Sequence, residues 1–331
     1  VILLLSVVLF SVMCSKPLSV GKLTEIAVLA DEEVWGEIEP DVRGALEREI
    51  FSARPETAFR IYYAPLENPG KFRKWSKLIL VGSLEGGGPI VDLIPGDVKD
   101  EVIAKGGLLY SIPDLWARNQ TAFVLITAKR EEIPRYVRHS RELLFLQIDN
   151  LLRGEVKDRM FQSGLNEELA RNLGRKHGFT LMLPIVYRQD QFTLVPQAVR
   201  FFNLNPQRSI VVYWEEGLRD NLKPDAVIAK RAELSEHFYP GDYLVEGKTR
   251  TEWGDFQGHR ALKIWGVWEN REELEGGMFV TWAFNCRESR RFYIIDSVLF
   301  SPNPRKAKYV YMIQMETIIN SFQCSFPQGR E

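Results

Sequence analysis

Four tryptophans, four carboxylates and three cysteines carry most of the chemistry this chain offers. Trp253, Trp265, Trp268 and Trp282 are four of the eight tryptophans, gathered within thirty residues. Tyr239, Tyr243, Phe256 and Phe279 lie near them. Aromatic faces bind sugars, peptides and amphipathic ligands by area and stacking. Glu252, Asp255, His259, Arg260 and Glu269 are interleaved with the rings and would add polar contacts. The competing reading makes these rings the core of a sheet, which already explains Trp282. Asp296 is flanked at i±2 by Ile294 and Val298. A carboxylate on an apolar face is costly unless paired, and Arg291, Arg305 or a backbone N–H are its candidate partners. Any of Glu252, Asp255, Glu269 and Asp296 would also serve a hydrolase as acid or base. That chemistry needs two of them roughly 5–9.5 Å apart across a cleft.

Cys286 and Cys324 either form a disulfide or sit as two small buried hydrophobes. The four histidines, His139, His177, His237 and His259, are far apart in sequence. No H-x-x-x-H or C-x-x-C spacing occurs, so neither a metal nor a cofactor is expected. Gly86-Gly87-Gly88 lacks the G-K-[S/T] of a phosphate loop, and no G-x-S-x-G elbow is present. Lys129–Arg141 carries five basic residues against two acidic ones. It reads as a solvated helix face before it reads as an anion site.

The 331 residues are 45% hydrophobic and 26% charged, with 43 basic and 44 acidic side chains. That balance excludes a disordered chain and lacks the basic excess of a nucleic-acid binder. The strongest local signal is Val1–Met13, thirteen residues without a charge. As a helix they would span about 20 Å, short of the roughly 30 Å hydrocarbon core. The length suits the apolar part of a secretory signal whose basic start lies upstream. Cys14 follows directly, as in a bacterial lipobox, although Met13 stands where a small residue is usual. The expectation is export and acylation at Cys14.

The elements that would position these residues follow from periodicity. Strands are expected at Thr24–Ala30, Phe59–Ala64, Lys77–Gly82, Leu108–Ile112 and Ala122–Thr127. Helices are expected from Pro40, over Asp97–Lys105, and from Arg130 to Leu152. A boundary is placed at Gly154. Beyond it come a helix over Val156–His177, strands at Thr180–Tyr187, Ala198–Leu204 and Ser209–Trp214, and a helix over Pro224–His237. Tyr239–Arg260 reads as a long irregular loop. Lys263–Trp268, Met278–Cys286 and Arg291–Phe300 read as an antiparallel meander. A terminal helix of about eighteen residues would bury Met312, Met315, Ile319 and Phe322. The fold class is α+β, in two αβ lobes. Residues 1–14 are a signal peptide and lipobox, 15–22 a tether, 23–154 the first lobe, 155–324 the second and 325–331 a tail.

Leu29–Trp35 (LADEEVW), Asp114–Gln120 (DLWARNQ), Trp265–Glu275 (WGVWENREELE) with Gly276-Gly277, and Ile295–Arg305 (IDSVLFSPNPR) carry a resemblance. With the Cys14 region, the chain resembles an uncharacterised family of bacterial envelope lipoproteins, known only as a domain of unknown function. The resemblance spans nearly all of the chain after Cys14. It implies an exported, lipid-anchored protein and brings no catalytic residues.

The reading that results is a non-enzymatic outer-membrane lipoprotein facing the periplasm or the surface. It would bind a ligand, an envelope protein or a glycan, and no nucleic acid. Trp253, Asp255, His259, Trp265, Trp268, Glu269 and Asp296 are the candidate binding residues. The alternatives are a hydrolase of an envelope polymer and a purely structural assembly component, the latter favoured by a large exposed apolar patch instead of a pocket. In the full-length precursor, Cys14→Ser is expected to abolish incorporation of radiolabelled fatty acid and retention in the membrane fraction. Unchanged retention would reject the anchor.

Overall fold

Short runs of Ile, Val and Leu build the first sheet of the computed structural model, which describes residues 16–52, 54–191, 195–303 and 306–324. Cys14, the apolar stretch before it and the tail from 325 lie outside the described residues. The chain divides into two units. One runs to Arg48 and resumes over Phe59–Gln147; the other comprises Glu49–Ala58 and the chain from Ile148 onward.

The first unit contains β1 (Glu25–Ala30), α1 (Glu32–Leu46), β2 (Arg60–Pro65), β3 (Lys77–Ser83), α2 (Pro89–Asp92), α3 (Gly96–Lys105), β4 (Gly107–Pro113), β5 (Thr121–Thr127) and α4 (Ile133–His139). Its sheet has the order β2-β1-β3-β5-β4. All neighbours are parallel except β4 with β5. β1, β3 and β5 are almost wholly buried. Strands covered on both faces carry such unbroken apolar runs.

Several boundaries differ from the sequence reading. α1 begins at Glu32, so Pro40 lies inside it rather than at its first position. Glu32 and Glu33 sit in its first turn, where negative charge suits the helix dipole. The helices expected at 130–152 and 156–177 are divided elsewhere. α5 (Arg141–Met160) runs straight through Gly154, and α6 (Glu167–His177) is separate. A glycine costs a helix about 1 kcal/mol without ending it. The division between units therefore falls inside α5. Residues 16–22 are no free tether either. The Ser19 and Val20 amides donate to the Arg118 and Lys74 carbonyls, and the Ser76 amide donates to Val20.

The second unit adds β6 (Arg188–Gln189), β7 (Ala198–Leu204), β8 (Gln207–Glu216), α7 (Pro224–Phe238), β9 (Asp242–Phe256), β10 (His259–Asn270), β11 (Glu275–Cys286), β12 (Arg291–Phe300) and α8 (Lys308–Ile319). They form an antiparallel sheet ordered β6-β7-β8-β12-β11-β10-β9. Thr180–Tyr187 is not a strand and pairs only through isolated bridges, one at Thr180 and one at Pro184. The expected loop over Tyr239–Arg260 is largely β9 and its turn into β10. β9 is an edge strand, exposed along most of its length, so no apolar alternation marks it.

Each face of this sheet buries a separate core. On one, α7 lays Val227, Leu234 and Phe238 against Val211, Ile264, Phe279 and Ile294. On the other, Phe179, Ile318 and Phe322 meet Phe201, Val212, Phe284, Tyr293 and Ile295. α8 is shorter than expected and Phe322 lies beyond it. Met315, Ile319 and Phe322 are buried, while Met312 is half-buried. The Phe322 ring lies 5.1 Å from Tyr293 and 5.4 Å from Phe179. Phe322→Ala should cost about 3–5 kcal/mol through lost transfer energy and a residual cavity. A urea midpoint shift worth less than about 0.5 kcal/mol would contradict this packing.

Candidate functional site

α7 begins at Pro224, and the residues it turns toward the sheet include Val227, Arg231, Leu234 and Phe238. A cation therefore stands in the middle of an apolar stripe. Arg231 Nε donates to Asp296 Oδ1 at 2.9 Å, and both side chains are buried. Thr281 Oγ1 donates to the same oxygen at 2.5 Å. The guanidinium lies 3.8 Å from the centroid of Phe279. Nearby, the Tyr239 hydroxyl donates to Ser209 Oγ at 2.7 Å. Burial, then the charge of Asp296, pushes this phenol well above its ordinary pKa. Asp296 thus has a partner, but not one of those expected. Arg291 pairs with Glu216 instead at 2.8 Å, and Arg305 lies outside the described residues. The signal for Arg231 was its place at i+4 from Val227 and i−3 from Leu234.

The remaining candidates do not converge. Directly paired residues of antiparallel strands share a face. Trp253 pairs with Leu262 and Asp255 with Arg260, on the α7 face. His259 pairs with Phe256, on the opposite face, where its ring stacks on Phe284. Trp253 is 45% exposed and lies 4.6 Å from the Arg260 guanidinium. Asp255 accepts the Gly258 amide at 3.0 Å and so serves the turn. Trp268 is buried beside Phe300. A Cβ at Gly277 would come within 2.0 Å of the Leu299 carbonyl and 2.8 Å of the Trp268 indole nitrogen. That glycine therefore serves strand and ring packing. Glu269 accepts from the Tyr243 hydroxyl at 3.0 Å. It stands nine positions along β10 from the partner of Asp255, a strand length of about 30 Å. Glu252 and Asp296 lie on opposite faces. The four carboxylates do not form the pair across a cleft that the hydrolase alternative requires.

A different grouping forms where α8 crosses the sheet. Lys263, Val280, Trp282, Met312, Met315 and Glu316 line a cavity of about 210 Å³. The Lys263 ammonium lies 5.1 Å from the Trp265 ring and 5.4 Å from the Trp282 ring. It also lies 3.6 Å from Glu252. Glu316 is held by Arg153 at 2.7 Å. Lys263 and the two methionines had no mark in the sequence as site residues, because each also fits an ordinary sheet or helix position.

At the hairpin end, Cys286 and Cys324 are joined with a Cα separation of 6.3 Å. Cys324 Sγ lies 3.6 Å from His259 Nε2. Glu288 Oε2 lies 3.1 Å from Cys286 Sγ. It is 4.0 Å from both Cys324 Sγ and His259 Nε2. Glu288 had no signal in sequence: it is one charge in a polar turn.

Residues 166–321 match the family described as "Domain of unknown function (DUF4837)". That domain spans the second unit from α6 through α8. No curated protein matches the chain. A solved Bacteroides thetaiotaomicron structure is 12% identical with a TM-score of 0.27, over 46% of this chain and 47% of that one. The chain thus spans about half the length of that protein. The Ran-binding protein Mog1p of Saccharomyces cerevisiae is 12% identical with a TM-score of 0.31, over 44% of this chain and 90% of its own. A Pseudomonas aeruginosa protein of unknown function, described as a putative regulator, is 13% identical with a TM-score of 0.22, over 43% and 94%. Likeness this low lends the chain no role. Among the described residues, no helix is long and apolar enough to cross a membrane.

The buried pair gives a sharp expectation. Arg231→Met alone should destabilise the protein by about 3–5 kcal/mol, because it strands a buried carboxylate. Adding Asp296→Leu to it should recover most of that loss in chemical denaturation. A double variant as unstable as the single would show that the pair is not the source of the cost.

Proposed function

We propose that the protein is a non-enzymatic binding module of the cell envelope, anchored by lipid at Cys14. Its ligand is a small amphipathic anion taken into the cavity between α8 and the sheet. The supporting observation is the Lys263 ammonium beside Trp265 and Trp282, at a cavity walled by Met312 and Met315. Methionine side chains are flexible and polarisable, and fit apolar groups of varied shape. The Lys263 ammonium, 3.6 Å from Glu252, gives an acidic head group a counter-charge once the head group displaces that carboxylate, without closing the apolar space. The volume suits a short acyl or single-ring group, smaller than the usual pocket of about 300 Å³ or more. Val1–Met13 followed by Cys14 supports export and anchoring, and Ser15 in place of an Asp after the cysteine supports the outer membrane.

Octanoate is the probe. Titration should change the tryptophan fluorescence saturably. Lys263→Gln should weaken binding about tenfold, equivalent to roughly 1.4 kcal/mol. Met312→Asp should abolish it by placing a charge in the apolar wall. Absence of a saturable change at millimolar octanoate, or equal affinity in both variants, would defeat the proposal.

A further inference from the structure

We infer that Cys286, Cys324, His259 and Glu288 form a redox-gated site for a divalent cation, with Zn²⁺ the ion that fits. The inference does not depend on the cavity beneath α8.

Three stretches of chain bring the donors together. His259 opens β10, directly after the turn at Gln257-Gly258, where both residues have left-handed φ values of 55° and 84°. Cys286 closes β11, and Glu288 sits in the turn that follows. Cys324 arrives from beyond α8, where Gln323 bridges to Thr180 by two main-chain hydrogen bonds. The His259 ring is fixed by its stacking on Phe284, at 5.4 Å and 19°. One ligand atom from each of the four residues lies within 4.8 Å of all the others.

A tetrahedral zinc site has Zn–S bonds of about 2.3 Å and Zn–N or Zn–O bonds of about 2.0–2.2 Å. Neighbouring ligand atoms are then roughly 3.3–3.8 Å apart. The distances of 3.1, 3.6, 4.0 and 4.0 Å from imidazole and carboxylate to the other donors bracket that range. The covalently joined sulfurs alone are too close for an ion to take both. Two thiolates, an imidazole and a carboxylate are a donor set suited to zinc. The sequence reading missed it because the ligands have no local spacing; they meet only in the fold.

The disulfide and the metal site are therefore mutually exclusive states of one cluster. Two electrons and two protons from a dithiol reductant cleave the S–S bond, leaving Cys286 and Cys324 as thiols and the donor as its own disulfide. Zn²⁺ then displaces both thiol protons to solvent and accepts His259 Nε2 and Glu288 as its remaining ligands. A disulfide oxidant, reduced to its own dithiol as it takes two electrons from the two thiolates and two protons from solvent, re-forms the Cys286–Cys324 bond and the ion leaves. In an oxidising compartment the bridge closes the cluster, and in a reducing one zinc replaces it as the cross-link between β11 and the segment that follows α8.

The test uses the whole chain, oxidised or reduced with a phosphine, titrated with Co²⁺ and Zn²⁺ as probes. The reduced protein should take up one Co²⁺ with a thiolate charge-transfer band, and the oxidised protein none. Zn²⁺ should raise the Tm of the reduced form alone. His259→Ala and Glu288→Gln should each weaken Zn²⁺ binding at least tenfold; Glu288 is in an exposed turn, so its substitution leaves the fold intact. No thiolate band in the reduced protein would overturn the inference. So would affinity unchanged by both substitutions, or a reduced chain that unfolds and recovers nothing on adding Zn²⁺.

Discussion

Arg231 and Asp296 are both withdrawn from water, and each makes the other tolerable. A buried charge without its partner costs several kcal/mol, so the two elements that carry them have little freedom. α7 cannot rotate by one residue, about 100°, without taking the guanidinium off the carboxylate. β12 cannot slip by one residue without turning Asp296 into the opposite core. Thr281 fixes β11 to the same oxygen. One ion pair thereby sets the register of a helix and two central strands. Burial raises the pKa of the nearby Tyr239 phenol, and the charge of Asp296 adds to that while Arg231 opposes it. The pair stabilises less than its geometry suggests, because desolvation offsets much of the attraction, but it excludes alternatives.

The sequence made parts of this architecture plain, for identifiable reasons. β11 and β12 were legible as apolar stretches between polar turns, although both of their faces are buried and their burial has no period of two. β1, β3 and β5 were legible as short apolar runs covered on both faces. β9 was not, since an edge strand with both faces wet carries no hydrophobic period. Gly154 was misleading because a helix can absorb one glycine when its neighbours are packed. Thr180–Tyr187 had the composition of a strand without a ladder beside it.

The site was less legible than the fold. Trp253, Asp255 and His259 are neighbours in sequence, yet the pleat sends His259 to the opposite face. Asp296 was identifiable as needing a partner, but the partner sat on a helix 65 residues earlier. Lys263 was overlooked because a lysine in a half-buried strand is ordinary until its ring neighbours are placed. The sulfur, imidazole and carboxylate donors had the least signal. Their convergence is a property of where β10 starts, where β11 ends and where the segment after α8 carries Cys324.

The strap formed by residues 16–20 bears on how the first unit would move. The Arg118 amide already donates to the Pro17 carbonyl, and Lys16 Nζ to the Asp114 carbonyl. Three residues of chain from Cys14 to Pro17 reach at most about 11 Å. With acyl chains on Cys14, as proposed, the leash would be shorter than a lipid leaflet is thick. The first unit could not drift on a flexible stalk. Its hydrogen bonds at Lys16, Pro17, Ser19 and Val20 would pass any pull on the N-terminus straight to the 114–120 loop and the start of β3.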